Sequence, residues 1–332
     1  MRVDTSDIRG VLAIIPTPAT ANASDPAAID TVDHTETARA VSALIDDGVD
    51  AIMANGTLGE GATLTFDEHR DFAATVIETA AGRVPVFIGA TTLNTRDTIT
   101  RAKLFADMGA SGLLLGRPMW SPCDDTATVG FYSDVARAVD DLAIVIYDNP
   151  VSFRGRISTQ AYAQLAQIPQ IVATKYPMMG PSFVADLAAT EGTMAILPVE
   201  RDWPTAWRLS EGTVQACWSG SASCGPAPAV ALREAVSAAD AGRIDEIGAQ
   251  YQHAAQTFFP NGSFELFSRY NVQLEKIRIN EAGYIAAGPA RPPYTACPDD
   301  YAEGARESGR RLAQMHRLHS TDAGAVNAGS VQ

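Results

Sequence analysis

Residues 171–177 read Ile-Val-Ala-Thr-Lys-Tyr-Pro, a short apolar run that closes on a lysine and a tyrosine before a proline. A similar run, Leu142-Ala143-Ile144-Val145-Ile146-Tyr147, lies one βα unit earlier and closes on a tyrosine. Short apolar runs separated by helical segments are typical of the strands of a parallel sheet. Because successive parallel strands end at the same edge, Tyr147 and Lys175 are predicted to share a pocket.

The same alternation covers the first 225 residues. Helix-period segments, with Asp30 and Thr65 as predicted N-caps of the first two, separate eight strand-like runs. These runs cover residues 11–15, 51–54, 84–88, 112–115, 143–147, 171–175, 194–197 and 213–217. A doubly wound sheet would also alternate, but no run is followed by G-x-G-x-x-G or by a phosphate-binding loop. Eight evenly spaced units favour the α/β class, as a (β/α)8 TIM barrel over residues 1–225.

The rest of the chain is predicted to be helical. Helix-period segments follow Gly225-Pro226, and we expect this C-terminal helical extension, residues 226–319, to pack on the barrel. Residues 320–332 are small and polar, which predicts a frayed tail.

Composition argues against several classes of function. Lys+Arg total 25 against Asp+Glu 39, a formal net charge of −14, which disfavours nucleic-acid and anionic-membrane partners. No stretch approaches the roughly 18–20 apolar residues that span a bilayer, and the four cysteines form no C-x-x-C pair. The amino end lacks a signal-peptide pattern, so the protein is predicted to be cytoplasmic, with reduced thiols and no metal site.

Lys175 is the main candidate for chemistry. Burial disfavours the ammonium form and lowers the pKa of a lysine, and a neutral amine condenses with ketones to a Schiff base. The alternative is a lysine whose stem lies along apolar surface while its charge stays in water. The turn Asn55-Gly56-Thr57-Leu58-Gly59-Glu60 after the second strand has a hydroxyl and backbone N–H groups that can hold a carboxylate. A tight turn without a ligand is the alternative for that segment.

In order and spacing, Gly56-Thr57-Leu58-Gly59-Glu60, Tyr147-x-x-Pro150 and Lys175 resemble the dihydrodipicolinate synthase/N-acetylneuraminate lyase superfamily of class I pyruvate aldolases. The resemblance covers most of the chain and implies a (β/α)8 barrel with C-terminal helices. It also implies that Lys175 forms a Schiff base with a 2-oxo acid, that Tyr147 moves protons, and that Thr57 with the Leu58 amide binds the pyruvyl carboxylate. No separate cofactor is implied, and members of the family are usually homotetramers.

Departures from the synthase pattern indicate a branch of this family. Leu58 stands where the synthases carry a second hydroxyl residue, residues 118–120 replace tyrosines after the fourth strand, and Ser152 replaces a substrate-binding arginine. The predicted pocket wall is apolar and aromatic: Leu58, Met119, Trp120, Phe153 and Trp218. Such a wall would leave the hydroxyls of a sugar acid unsatisfied, whereas it suits an aromatic aldehyde.

Further segments are similar to the hydratase-aldolases of aromatic degradation, which act on trans-o-hydroxybenzylidenepyruvate or 2-carboxybenzalpyruvate. These segments include Tyr147-x-Asn149-Pro150, Thr174-Lys175-Tyr176-Pro177, Trp218-Ser219 and Tyr270-Asn271-x-Gln273. The resemblance implies hydration of a substituted benzylidenepyruvate and then retro-aldol cleavage to an aromatic aldehyde and pyruvate. The iminium on Lys175 makes C4 of the conjugated system electrophilic toward water in the first step and accepts electrons in the second.

Three more residues have both a functional and a structural interpretation. Asn271 could position water or the nascent alkoxide, or it could be a hydrogen-bonded helix-packing residue. Trp218 could flank the aromatic ring or fill the core. Arg154 could pair with an ortho-carboxylate on the ring or be a solvated loop residue.

Two other functions stay open at this point. A synthase, or a sugar-acid lyase or dehydratase of the same superfamily, would share Lys175 and Tyr147, but the apolar strand ends count against it. A barrel that senses a 2-oxo acid without turnover would need neither residue. The ring substituent, 2-carboxy or 2-hydroxy, also stays open, with Arg154 slightly favouring the carboxylate.

Overall fold

The structure is a computed structural model that describes residues 3–329, with side chains described as far as Ser320. Its strands are β1 (Gly10–Ile14), β2 (Ala51–Ala54), β3 (Val86–Gly89), β4 (Gly112–Leu115), β5 (Ala143–Tyr147), β6 (Ile171–Lys175), β7 (Ala195–Leu197) and β8 (Ala216–Ser219). All paired strands are parallel, β1 pairs with β8, and a bridge between Val199 and Trp218 joins the two ends of the sheet. The predicted (β/α)8 barrel is confirmed.

Helices cover the outside of the barrel and form its C-terminal extension. They are α1 (His34–Asp46), α2 (Phe66–Ala80), α3 (Thr95–Asp107), α4 (Asp125–Ala138), α5 (Thr159–Leu165), α6 (Phe183–Thr190), α7 (Trp203–Leu209), α8 (Ala227–Ser237), α9 (Ala241–Ala255), α10 (Phe264–Arg269), α11 (Asn271–Ala282) and α12 (Asp299–Gly329). Helix α8 packs on β1, and α12 packs on α8, α9 and α11. Of the tail predicted over 320–332, the backbone continues α12 to Gly329, and residues 330–332 lie outside the described residues.

Side-chain caps set where the first helices begin. Thr65 caps α2 as predicted, because its hydroxyl accepts from the Glu68 N–H at 3.3 Å while Glu68 accepts from the Thr65 N–H at 2.8 Å. The prediction that Asp30 caps α1 was wrong. Asp30 has a φ of 56°, and α1 begins later, where Asp33 accepts from the Glu36 N–H.

The strand register brings the two predicted reactive residues together. Tyr147 is the last residue of β5 and lies directly opposite Lys175, the last residue of β6. The eighth strand ends two residues later than predicted, so that Trp218 lies within β8. Helices α10 and α11 are separate, because Tyr270 has a non-helical backbone between them.

Candidate active site

A cavity of about 440 Å³ lies at the carboxyl ends of the strands, with Lys175 in its wall. This volume is within the range of small-molecule sites. Strand ends and the loops after β2, β5, β6 and β7 form one part of the wall. The C-terminal extension forms the other part, which consists of Phe258, Phe259, Phe264, Phe267, Asn271, Glu275 and Arg278.

Lys175 is buried in this wall, with 8% of its surface exposed. Its Nζ lies 3.5 Å from the ring centroid of Trp218 and 4.9 Å from that of Tyr147. Burial lowers the pKa of Lys175 to about 7, although the carboxylates of Asp148, Glu200 and Glu275 counteract part of that effect. At neutral pH a substantial fraction of the amine is therefore unprotonated and able to attack a carbonyl.

The phenol of Tyr147 is held at a fixed position beside this amine. Its oxygen lies 2.7 Å from the Thr57 hydroxyl and accepts from the Thr57 N–H at 3.3 Å and from Nδ2 of Asn149 at 3.3 Å. Phe153 packs edge-on against the Tyr147 ring, with 5.3 Å between centroids. The Tyr147 phenol can therefore exchange a proton with the Thr57 hydroxyl on one side and with a group bound in the cavity on the other.

The turn after β2 presents free backbone donors to the cavity. Asn55 has a φ of 57°, and a Cβ on Gly59 would lie only 2.8 Å from the Asn55 nitrogen, so the chain can close this turn only with glycine at 59. The N–H groups of Leu58 and Gly59 donate to no other described residue. Of these two residues only Leu58 lines the cavity, and its N–H together with the Thr57 hydroxyl suits a carboxylate.

Glu60 anchors this turn to the C-terminal extension. Its carboxylate is fully buried and lies 2.6 Å from both Nζ of Lys276 and the guanidinium of Arg291. The Arg291 N–H also donates to Glu60 at 2.8 Å. A buried carboxylate between two cations is stable only while all three are present, so the cluster fixes the turn relative to α11.

Among the described residues that line the cavity, three carry carboxyl groups, and Glu275 is the most exposed of them as a whole residue, at 8% against 5% for Glu200 and 1% for Asp148. The side chain of Asp148 is 0% exposed, and Glu200 is 5% exposed with one oxygen accepting from Ser221. The Glu275 side chain is 11% exposed and accepts from Arg278 at 2.5 Å. Burial raises the pKa of Glu275 despite this ion pair. Asn271 precedes Glu275 by one helical turn, so both lie on one face of α11.

The structure brings some of the sequence-predicted pocket residues together and leaves others apart. Thr57, Leu58, Tyr147, Lys175, Trp218 and Asn271 all line the cavity. Phe153 does not line it and packs behind Tyr147, where it borders a second cavity of about 860 Å³. Trp120 is 78% exposed, and Arg154 donates to the Met119 carbonyl at 2.9 Å. Neither residue lines the cavity.

Sequence reasoning missed the aromatic part of the wall and one arginine. Four phenylalanines between residues 258 and 267 line the cavity, as does Arg201, which follows β7. Their density in Phe258-Phe259-Pro260-Asn261-Gly262-Ser263-Phe264-Glu265-Leu266-Phe267 was a usable signal for an aromatic surface. No comparable signal marked Arg201.

Comparison with known proteins adds independent findings. Residues 20–308 match the model of the Dihydrodipicolinate synthetase family. The chain is 44% identical over 323 residues to trans-2'-carboxybenzalpyruvate hydratase-aldolase of Nocardioides sp. (strain KP7), covering 96% of each chain. It is 46% identical over 313 residues to trans-O-hydroxybenzylidenepyruvate hydratase-aldolase of Sphingobium xenophagum, covering 93% of this chain and 95% of the relative. A solved structure of PhdJ bound to substrate intermediate has a TM-score of 0.94 and 44% identity, covering 96% of this chain and 99% of that chain.

Proposed function

The chain belongs to the dihydrodipicolinate synthetase family, and we propose that it is a hydratase-aldolase working through a Schiff base on Lys175. It is a lyase whose substrate is a benzylidenepyruvate with a 2-carboxy or 2-hydroxy ring, and whose products are an aromatic aldehyde and pyruvate. The observation that carries the proposal is the buried Lys175 amine, with a pKa of about 7, against the rings of Trp218 and Tyr147.

The first step joins the substrate to the enzyme. The substrate carboxylate binds the Thr57 hydroxyl and the Leu58 N–H, which directs the 2-oxo carbon toward Nζ of Lys175. The amine attacks this carbon, Tyr147 relays protons, and water leaves as the iminium forms. The substrate itself supplies the electrophile, so the proposal needs no separate cofactor.

The second step is hydration. Asn271 holds a water molecule. Glu275 takes a proton from this water while the water oxygen bonds to C4 of the substrate. The electron pair of the C3–C4 double bond moves toward the iminium and leaves an enamine. This enamine takes a proton at C3 from the protonated Glu275 and becomes an iminium again. Burial raises the pKa of Glu275, which makes this carboxylate a better proton acceptor than a solvated one.

The third step is retro-aldol cleavage. The 4-hydroxyl gives its proton to the Glu275 carboxylate, the C3–C4 bond breaks, and the electrons of that bond move into the iminium, so the aldehyde leaves. Protonation of the remaining enamine at C3 and hydrolysis of the iminium release pyruvate and regenerate Lys175. The four phenylalanines and Trp218 favour an aromatic aldehyde over a sugar, because they offer sugar hydroxyls no hydrogen-bond partner.

Borohydride reduction in the presence of pyruvate, followed by mass spectrometry, tests the Schiff base. The chain has three lysines, Lys103, Lys175 and Lys276, so each serves as an internal control for the others. We expect the reduced pyruvyl adduct on Lys175 alone. An adduct on exposed Lys103, or none at all, would contradict the proposal.

The decay of ultraviolet absorbance of a benzylidenepyruvate, with the aldehyde and pyruvate quantified, tests the overall reaction. We expect wild-type protein to consume the 2-carboxy or the 2-hydroxy compound, and Lys175→Ala to consume neither. Consumption of a sugar acid in place of both aromatic compounds would support the lyase alternative.

Localisation and assembly are further parts of the proposal. Among the helices of residues 3–329, none combines the length and the apolar composition of a membrane-spanning segment. We place the enzyme in the cytoplasm as a homo-oligomer, a tetramer by family resemblance. Leu93 and Trp120, 56% and 78% exposed in the single chain, are apolar residues that an interface would cover. Light scattering after size-exclusion chromatography measures the assembly.

A further inference from the structure

We propose that Arg201 binds a carboxylate on the aromatic ring of the substrate and so selects 2-carboxy over 2-hydroxy compounds. The inference rests on the proposed function, because it assigns one substituent of that substrate to one side chain. The sequence offered Arg154 for this role, with a solvated loop residue as the alternative, and the structure places Arg154 outside the cavity wall at an exposed position.

Arg201 lies between the reactive lysine and the aromatic wall. Lys175 pairs with Leu197 across β6 and β7, and Arg201 follows four residues later in the short 3-10 turn Glu200–Asp202. Its guanidinium carbon lies 4.8 Å from the ring centroid of Phe259, and both residues line the cavity. A ring packed among the phenylalanines therefore has a cation within its own binding surface.

The guanidinium of Arg201 has unused binding capacity. Its ion-pair partner among the described residues is the adjacent Asp202, at 3.7 Å, which is longer than a hydrogen bond. None of its five N–H donors makes a hydrogen bond to a described residue. Its side chain is 23% exposed, so it is partly withdrawn from water without a matching acceptor.

The other arginines of the wall are already engaged. Arg156 donates to the Tyr176 hydroxyl at 2.8 Å and lies 3.5 Å from Asp186. The charge of Arg278 is balanced by the Glu275 carboxylate, to which it donates at 2.5 Å, although its buried Nε donates to no described residue. Among the described wall residues, Arg201 is thus the cation best able to accept a new anion.

A ring carboxylate matches this donor set better than a phenol does. A carboxylate accepts two parallel N–H bonds from one guanidinium and neutralises its charge, whereas a 2-hydroxyl offers one neutral oxygen. The substrate would then be held at both ends. Its pyruvyl carboxylate binds at the turn after β2, and its ring carboxylate binds after β7.

Kinetics with three substrates test the assignment. We would measure kcat/KM for 2-carboxy-, 2-hydroxy- and unsubstituted benzylidenepyruvate with wild type, Arg201→Gln, Arg201→Lys and the control Arg154→Gln. We expect Arg201→Gln to lower kcat/KM for the 2-carboxy compound about 10- to 100-fold, with a change below about threefold for the other two. Arg201→Lys should recover part of the loss, and Arg154→Gln should behave as wild type.

Equal losses on all three substrates, or a wild-type preference for the 2-hydroxy or unsubstituted compound, would overturn the assignment. Calorimetric binding of 2-carboxybenzaldehyde and 2-hydroxybenzaldehyde separates this inference from the proposed function. If wild type turns over none of the substrates but Arg201→Gln selectively weakens binding of the carboxylated aldehyde, the function fails and the assignment stands. If turnover is normal and both aldehydes bind Arg201→Gln as they bind wild type, only the assignment fails.

Discussion

Replacing Lys175 with methionine should make the folded protein more stable at neutral pH. The pKa of Lys175 falls from 10.5 to about 7 on folding. Below pH 7 the native state must therefore bury a charged ammonium that water solvates freely in the unfolded chain. One pKa unit corresponds to about 1.4 kcal/mol, and the full difference destabilises the native state by about 5 kcal/mol. Methionine has a similar volume and no charge, so it removes this destabilisation.

The sign of the pH dependence distinguishes this effect from a packing effect. Between pH 7 and 10.5 the unfolded state binds more protons at Lys175 than the native state does, so wild-type stability rises with pH. From the two pKa values, the destabilisation is about 4 kcal/mol at pH 7, about 2 kcal/mol at pH 9 and below about 0.5 kcal/mol at pH 10.5. Loss of the contacts between the ammonium and the Trp218 and Tyr147 rings offsets about 1–2 kcal/mol of the gain.

Urea unfolding at pH 7, 8, 9 and 10, followed by circular dichroism, measures the difference. We expect Lys175→Met to gain about 2–3 kcal/mol at pH 7 and progressively less as the pH rises. Lys103→Met, at an exposed position of α3, should change stability by less than about 0.5 kcal/mol at every pH. If the difference between Lys175→Met and wild type were independent of pH, Lys175 would not be a desolvated amine, and the argument for its nucleophilicity would fail.

The kcat/KM of the wild type should fall about tenfold per pH unit below pH 7, because protonated Lys175 cannot attack a ketone; a flat profile from pH 5 to 8 would contradict this. Glu275→Gln should slow consumption of a benzylidenepyruvate about 10²- to 10⁴-fold while borohydride still traps pyruvate on Lys175, and loss of trapping would show that Glu275 acts earlier. Glu60→Gln should lower the free energy of unfolding by about 3 kcal/mol, since it leaves Lys276 and Arg291 buried without their carboxylate; an unchanged urea midpoint would argue against the buried cluster.

Residues fixed by strand periodicity were predictable from the sequence. A parallel strand that ends after an apolar run fixes where its last side chain lies, so the proximity of Tyr147 and Lys175 followed from two runs and one βα unit. Thr57 was equally predictable, because glycines restrict the turn that carries it. In these cases the local sequence fixes where a strand ends, and the barrel brings the ends of all its strands to the same face.

Residues in the longer loops were not predictable in this way. Arg154 has a φ of 56° and uses its guanidinium on the Met119 carbonyl, and neither property can be read from its neighbours in the sequence. Trp120 follows the fourth strand closely in sequence, yet its side chain is mostly exposed and does not reach the cavity. Loop backbones depend on contacts that form only in the folded chain, so proximity in sequence was a poor guide to proximity in space.

The pocket has two parts, one formed by the strand ends of the barrel and one formed by the C-terminal extension. The groups proposed to form and resolve the Schiff base, Lys175, Tyr147 and Thr57, belong to strand ends and their turns, while most of the aromatic surface belongs to the C-terminal extension. The Glu60 cluster joins the two parts, since Lys276 and Arg291 come from the extension and Glu60 from the turn that carries Thr57. Substitutions among the phenylalanines can therefore alter which aldehyde fits without moving the amine that reacts. Substitutions in the cluster would disturb both, because they change the position of one half of the pocket relative to the other.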